Sequence, residues 1–327
     1  MLRLPVFSAH FPTEIADAVR LKTEHGQSSA YVAGGTDLIP NMKRRQQTPS
    51  QVIDIRGIRE LAQIKRNESG AWTLGAGVTL AHLIRHSGIR AECAVLAEAA
   101  ATISTPILQN MGTVGGNLLL DTRCNYYDQS YEWRKAIDFC MKKDGSICWV
   151  APSSPRCWAV QSSDLAPVMI ALGARVRLTG SKGDRTIPVA ALYRNDGMDF
   201  LTKQADELLT AIEVPPLDGA RATYQKLRRR GSFDFPVLGV AAWARSDAAG
   251  IVREARVVLG AVGSHPIQSV EAEAALVGHP LSEEVIDEVS RLVARPAKPL
   301  DNTDFTIGWR KDMVPVFVRR ALSALVV

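Results

Sequence analysis

The chain has 327 residues, 46% hydrophobic and 22% charged, enough to bury a sizeable core in two or three domains. Its formal charge of +5 comes from 39 basic and 34 acidic residues dispersed along the sequence, a balance too mild for a nucleic-acid-binding protein. No apolar run reaches the roughly 18 residues of a membrane span, and Met1–Pro12 lacks the apolar core of a signal peptide, so the cytoplasm is the expected compartment.

The N-terminal pattern predicts a helix from Glu14 to about Glu24, capped by Thr13, with Ile15, Ala18 and Val19 inward and Gly26 as a stop. A short strand at Ala30–Ala33 leads into Gly34-Gly35-Thr36-Asp37 and a helix from Leu38 to Arg45. Gln51–Ile55, Leu61–Arg66 and Ala71–Gly75 read as strands, the last two joined by the turn Asn67–Gly70. Thr79 caps a helix to about His86, and an Ala-rich helix follows from Arg90 to Ile103. Ser163–Gly173 reads as helix, and Arg175–Thr179 and Thr186–Val189 as strands around the turn Gly180–Asp184. Val214–Gly219 is a candidate linker. Beyond it, Ala222–Arg228, Leu238–Arg245 and Arg253–Val262 look like antiparallel strands, and Val270–Val277, Ser282–Val293 and Lys311–Leu325 look helical. Arg228-Arg229-Arg230 reads as a solvated face or a set of salt-bridge donors.

Two glycine loops carry the first functional signal. Gly34-Gly35-Thr36 follows a strand and opens a helix. Glycine lets the backbone approach an anion closely, successive N–H groups can bind it, and the helix N-terminus adds partial positive charge. Thr113-Val114-Gly115-Gly116-Asn117 reads as a second such turn, so a diphosphate ligand becomes plausible. Gly75-Ala76-Gly77-Val78-Thr79-Leu80 is a decoy, because Leu80 stands where a dinucleotide fingerprint needs its third glycine.

The segments Ala33–Leu38, Gly75–Leu80, Gly112–Asn117 and Ser163-Asp164-Leu165-Ala166-Pro167, in this order, resemble the FAD-binding subunits of molybdenum hydroxylases, the xanthine and carbon monoxide dehydrogenase family. The resemblance covers essentially the whole chain. It implies an α+β fold: a two-subdomain vanillyl-alcohol-oxidase (PCMH-type) FAD-binding domain at 1–217, then a C-terminal domain of a small antiparallel sheet with helices at 218–327. It also implies FAD contacts from Tyr31, Val32, Ala33, Gly34, Gly35, Thr36, Asp37 and Leu38 on one side of the pyrophosphate. Thr113, Val114, Gly115, Gly116 and Asn117 would lie on the other. Ile103 would line the cofactor, Asp164 bind its adenosine part, Leu208 touch the flavin, and Lys226 reach it from the C-terminal domain. Read on their own, Leu208 is core packing and Lys226 a surface charge.

Here the chain departs from the ordinary family pattern. Residues 118–162 separate Asn117 from Ser163 and hold four of the five cysteines, spaced Cys124-x15-Cys140-x7-Cys148-x8-Cys157. Three of the six Trp (133, 149, 158) and three of the six Tyr (126, 127, 131) lie there too, so a folded insertion with its own apolar cover is expected. Spacing alone leaves a [4Fe–4S] cluster, a structural zinc and plain buried thiols open. Cys93, outside the insertion, reads as a small buried thiol.

An insertion of this kind is similar to that of the 4-hydroxybenzoyl-CoA reductases within the family, where the four cysteines bind a [4Fe–4S] cluster. That resemblance implies an electron-transfer subunit with no substrate chemistry of its own. Its partners would be a molybdopterin-binding large subunit and a [2Fe–2S] small subunit in a heterohexamer, with ferredoxin as donor. The alternative is the FAD subunit of another molybdenum hydroxylase, with a structural four-cysteine metal insertion.

Overall fold

The computed structural model of the chain describes residues 2–326, arranged around three sheets. The first sheet is parallel, with β1 (Ser8–His10), β3 (Gln51–Asp54) and β2 (Ser29–Val32) in that order. Helix α1 (Ile15–His25) carries the chain from β1 to β2, which flank β3 on opposite sides, and buries Ala18 and Val19 against Ile53 and Ile55. Gly26 ends α1 at φ 52°, but Thr13 does not cap it: Glu14 occupies the cap position and makes no side-chain bond there. Strand β1 leaves no trace in the sequence, because Ser-Ala-His is neither β-branched nor alternating.

The second sheet is antiparallel, in the order β4 (Ile64–Arg66), β5 (Trp72–Gly75), β8 (Leu208–Val214), β6 (Arg175–Gly180), β7 (Gly183–Pro188). Central strand β8 is buried along nearly its whole length and shows no alternation, so a search for period two passes over it. The β6–β7 turn takes only Ser181 and Lys182, tighter than the five residues expected. Helices α3 (Leu80–Arg85), α4 (Ser87–Glu92), α5 (Ala94–Ala101) and α9 (Leu165–Ala171) complete the main core with this sheet. The hydroxyl of Thr79 caps α3 by accepting from the His82 N–H at 3.2 Å. The single helix expected over 90–103 is two helices, broken at Cys93, whose backbone leaves the helical region (φ −148°, ψ 56°). Cys93 is buried, and desolvation pushes its thiol up to about 12.

The third sheet is antiparallel: β12 (Ile267–Gln268), β11 (Val252–Gly260), β10 (Leu238–Ser246), β9 (Arg221–Leu227). One face packs on α10 (Val270–Leu276), α11 (Glu283–Ala294) and α12 (Ile307–Ser323), around Val240, Ala242, Val257 and Leu259. The other face sends Ala241, Trp243 and Val258 into the main core. With both faces covered, β10 is buried over seven consecutive residues. Helix α12 starts a turn before the expected Lys311, because the Thr306 hydroxyl accepts from the Trp309 N–H at 3.3 Å.

The insertion rises from a neck where Arg123 and Val160 exchange two backbone bonds of 2.8 and 2.7 Å. Asn302 of the C-terminal domain fastens it, donating to Trp158 O at 2.6 Å and accepting from the Asn125 N–H at 3.0 Å. Its apolar cover is smaller than the aromatic content suggests. Tyr127 is buried, but Tyr131, Trp133 and Trp149 are about 40% exposed.

Candidate functional site

The first glycine loop leaves β2 at Val32 and enters α2 (Leu38–Lys43), with Gly35 at φ +69°. The main-chain N–H groups of Gly34, Gly35, Thr36, Asp37 and Leu38 find no acceptor among the described residues. The wall therefore offers a row of free donors, the first helical one among them.

The second loop corrects the expectation of a matching donor row. Thr113 caps a short helix, α7 (Val114–Leu118), accepting from the Gly116 N–H at 3.0 Å. The Val114 and Gly115 N–H groups go to Val78 O and Ala76 O, both at 2.9 Å, and that of Asn117 goes to Thr113 O at 2.9 Å. All four donors are consumed by the fold. The segment Gly75–Leu80, no phosphate loop itself, is the scaffold that holds α7. Gly115 is glycine because a Cβ there would lie 2.6 Å from Ala76 Cβ and 2.9 Å from Leu209 Cδ2.

Between the two loops lies a cavity of about 490 Å³, a size suited to a small-molecule site. Tyr31 to Leu38, Ile103, Thr113, Gly115, Gly116, Asn117, Asp164 and Leu208 line it. Leu208 is both lining and core. Val114 lies in the core and Lys226 behind the wall. The Lys226 ammonium donates to Asp164 Oδ2 at 3.0 Å and Thr102 O at 2.9 Å, while Tyr224 donates to Asp164 Oδ1 at 2.7 Å. With a side chain only 3% exposed, Lys226 is no surface charge. Burial pushes the Asp164 carboxyl up and the Lys226 ammonium down, so each charged form depends on the other.

The lining also includes Arg123, Ser162, Phe200, Lys203 and Phe235, which the motifs do not mark. Arg123 donates to Asp37 Oδ1 at 2.7 Å and lies 3.6 Å over the Phe235 ring. The free donor row, the glycine contacts and the apolar stretches at Ile103 and Leu208 together fit a dinucleotide such as FAD.

Burial, reinforced by nearby Lys22, lowers Lys203 to about 8. The unfolded amine titrates near 10.5, so this contribution to stability is full above that pH and is lost as pH falls through about 8. The melting temperature of Lys203→Met minus that of wild type should therefore be largest at pH 7 and shrink by pH 10. A difference that stays flat across this window would rule the shift out.

All four insertion cysteines are buried free thiols. Cys124, Cys140 and Cys157 share one apolar group with Tyr127 and Ala159, and Cys148 lies beside Cys157. Their interaction lowers Cys148 and raises Cys157, so the two thiols titrate as a pair. Burial pushes Cys124 up to about 12. Among the described residues, however, no three His, Cys, Asp or Glu side chains converge as a formed metal site. The expected [4Fe–4S] ligand set is therefore not supported as a formed metal centre, although three of its four cysteines share one apolar group. Any metal taken up there must displace protons from these thiols.

The family model for the FAD binding domain in molybdopterin dehydrogenase matches residues 5–217, and that for the CO dehydrogenase flavoprotein C-terminal domain matches 222–325. The chain is 30% identical over 319 residues to the carbon monoxide dehydrogenase medium chain of Afipia carboxidovorans, covering 97% of this chain and 96% of that one. It is 32% identical over 265 residues to the aldehyde oxidoreductase FAD-binding subunit PaoB of Escherichia coli, covering 78% and 81%. Its fold superposes on reconstituted CO dehydrogenase from Oligotropha carboxidovorans with a TM-score of 0.81 at 28% identity, covering 99% of both chains. The architecture is accordingly a PCMH-type two-subdomain FAD-binding fold followed by the C-terminal flavoprotein domain.

Proposed function

The chain belongs to the FAD-binding subunits of the molybdenum hydroxylases, and from that premise we propose that it passes electrons between FAD and the other redox centres of a multi-subunit oxidoreductase. The carrying observation is the row of unbonded N–H groups from Gly34 to Leu38 facing the cavity. Bound there, FAD would supply two-electron chemistry that can be released in single steps. The first glycine loop would meet the diphosphate, Thr113–Asn117 close its other side, Asp164 hold the adenosine part and Leu208 the flavin. Lys226 would act through Asp164, keeping its carboxylate charged. The domain boundary we assign is 217/218. Full-length similarity to a medium chain supports partnership with a molybdenum-carrying large subunit and a [2Fe–2S] small subunit.

The comparisons favour a subunit of the CO or xanthine dehydrogenase type over any narrower assignment. One observation supports the narrower reading: four buried free thiols gathered in a single insertion. On that reading Cys124, Cys140, Cys148 and Cys157 would hold a [4Fe–4S] cluster. The enzyme would be a 4-hydroxybenzoyl-CoA reductase taking electrons from ferredoxin.

Analysis of the chain purified without oxygen decides between them. About four iron and four acid-labile sulfide per FAD are expected for the cluster. Zinc without sulfide, with FAD retained, would leave a flavin subunit carrying a structural staple. Absence of FAD would overturn the whole proposal.

A further inference from the structure

A buried hydroxyl in the cavity wall has no partner among the described residues. It belongs to Ser162, which is 3% exposed. Buried hydroxyls are ordinarily paired, because leaving one unmade is unfavourable. Its neighbours are all engaged. The Gln161 amide donates to Leu120 O at 3.3 Å, the Ser163 hydroxyl donates to Asn117 Oδ1 at 2.7 Å, and both oxygens of Asp164 are held. The position is also firmly set: Val160 is locked to Arg123 across the neck, and the Gln161 N–H donates to Gly263 O at 3.1 Å. Across that neck the Nε of Arg123, a second lining residue, is likewise buried without a partner.

We propose that the Ser162 hydroxyl is a cofactor-holding group that hydrogen-bonds a polar atom of the FAD in this cavity. The neck of the cysteine insertion then forms part of the flavin site as well as the base of the thiol group. This rests on the FAD reading above.

The test is Ser162→Ala in the full-length chain, with FAD titrated by fluorescence into the flavin-free protein and the flavin-free protein melted separately. One hydrogen bond lost from the complex should weaken FAD binding roughly three- to tenfold. The flavin-free variant should melt at or above the wild-type temperature, since the hydroxyl has no protein partner to lose. Equal FAD affinity would overturn the proposal. A lower melting temperature of the flavin-free variant would also overturn it, because the hydroxyl would then be serving the fold. Failure of the wild type itself to bind FAD would sink the underlying reading, and this inference with it.

Discussion

If the insertion holds the proposed cluster, replacing Cys140 with serine should strip iron and sulfide from the anaerobically purified chain, from about four per flavin to near none, while leaving FAD bound. A cubane held by four thiolates has no spare ligand, so the loss should be nearly all-or-none. Cys140 is the right position because it lies away from the flavin cavity. Its thiol is buried in the insertion's own apolar group, separate from the main core, and it does not line the cavity. Its carbonyl accepts from the Lys143 and Gly145 N–H groups at 2.9 and 3.1 Å, so the tight turn that presents it is held by backbone. Serine preserves these bonds. Cys124 would be a poorer choice. It follows Arg123, whose guanidinium lines the cavity and grips Asp37, and its own N–H donates to Asp128 Oδ2 at 3.2 Å. Disturbance there reaches both sites. If Cys140→Ser loses flavin together with iron, the insertion is a structural support for the whole fold and the two-centre reading loses its basis.

The sequence made some of this legible and hid the rest for identifiable reasons. The Thr79 cap and the Gly26 stop are read correctly because each depends only on neighbours in the chain, whereas the Thr13 cap is not formed. The β9–β11 strands are equally clear, β10 included although both its faces are covered, because turn residues punctuate them. Strand β8 is not, because burial on both faces erases alternation. The glycine loops were marked as a pair, yet their division of labour is a tertiary fact. Only the contacts with Ala76 and Val78 show that the second loop spends its donors on the fold. Lys226 gives the same lesson, since nothing local tells that a lysine in a strand is buried against a carboxylate 62 positions away. Ser162 and Arg123 carry no motif at all. They reach the cavity because the insertion's neck closes, which is a pairing over long sequence separation.

Substituting Gly34 with alanine should produce the converse phenotype, flavin lost and the cysteine site kept. The glycine is required less by the ligand than by the opposite loop: a Cβ at Gly34 would lie 1.7 Å from the Met111 carbonyl oxygen and 2.3 Å from its carbon. Both are backbone atoms, and that backbone cannot easily yield. The Met111 and Gly112 N–H groups donate to Leu108 O at 3.0 and 2.7 Å, and Gly112 O accepts from the Leu80 N–H at 2.9 Å. The added methyl must therefore push the donor row away from α7, widening the slot that the two loops define. Overpacking of this kind costs about 1–3 kcal/mol, and backbone against backbone belongs at the upper end. FAD affinity should fall by up to about 100-fold, the limit reached if binding has to restore the original slot against that whole cost, since each 1.4 kcal/mol is tenfold. Gly308→Ala is the control, because a Cβ there meets nothing within 4 Å and the residue already sits in a helix. Any iron held under the cluster reading should be unchanged in Gly34→Ala, as Cys140 and its apolar group do not include this loop contact. Wild-type FAD affinity in Gly34→Ala would mean that the loops are not held in register by this contact. Loss of iron along with flavin would mean that the two sites are one cooperative unit, joined through the Asp37–Arg123 pair at the insertion's neck.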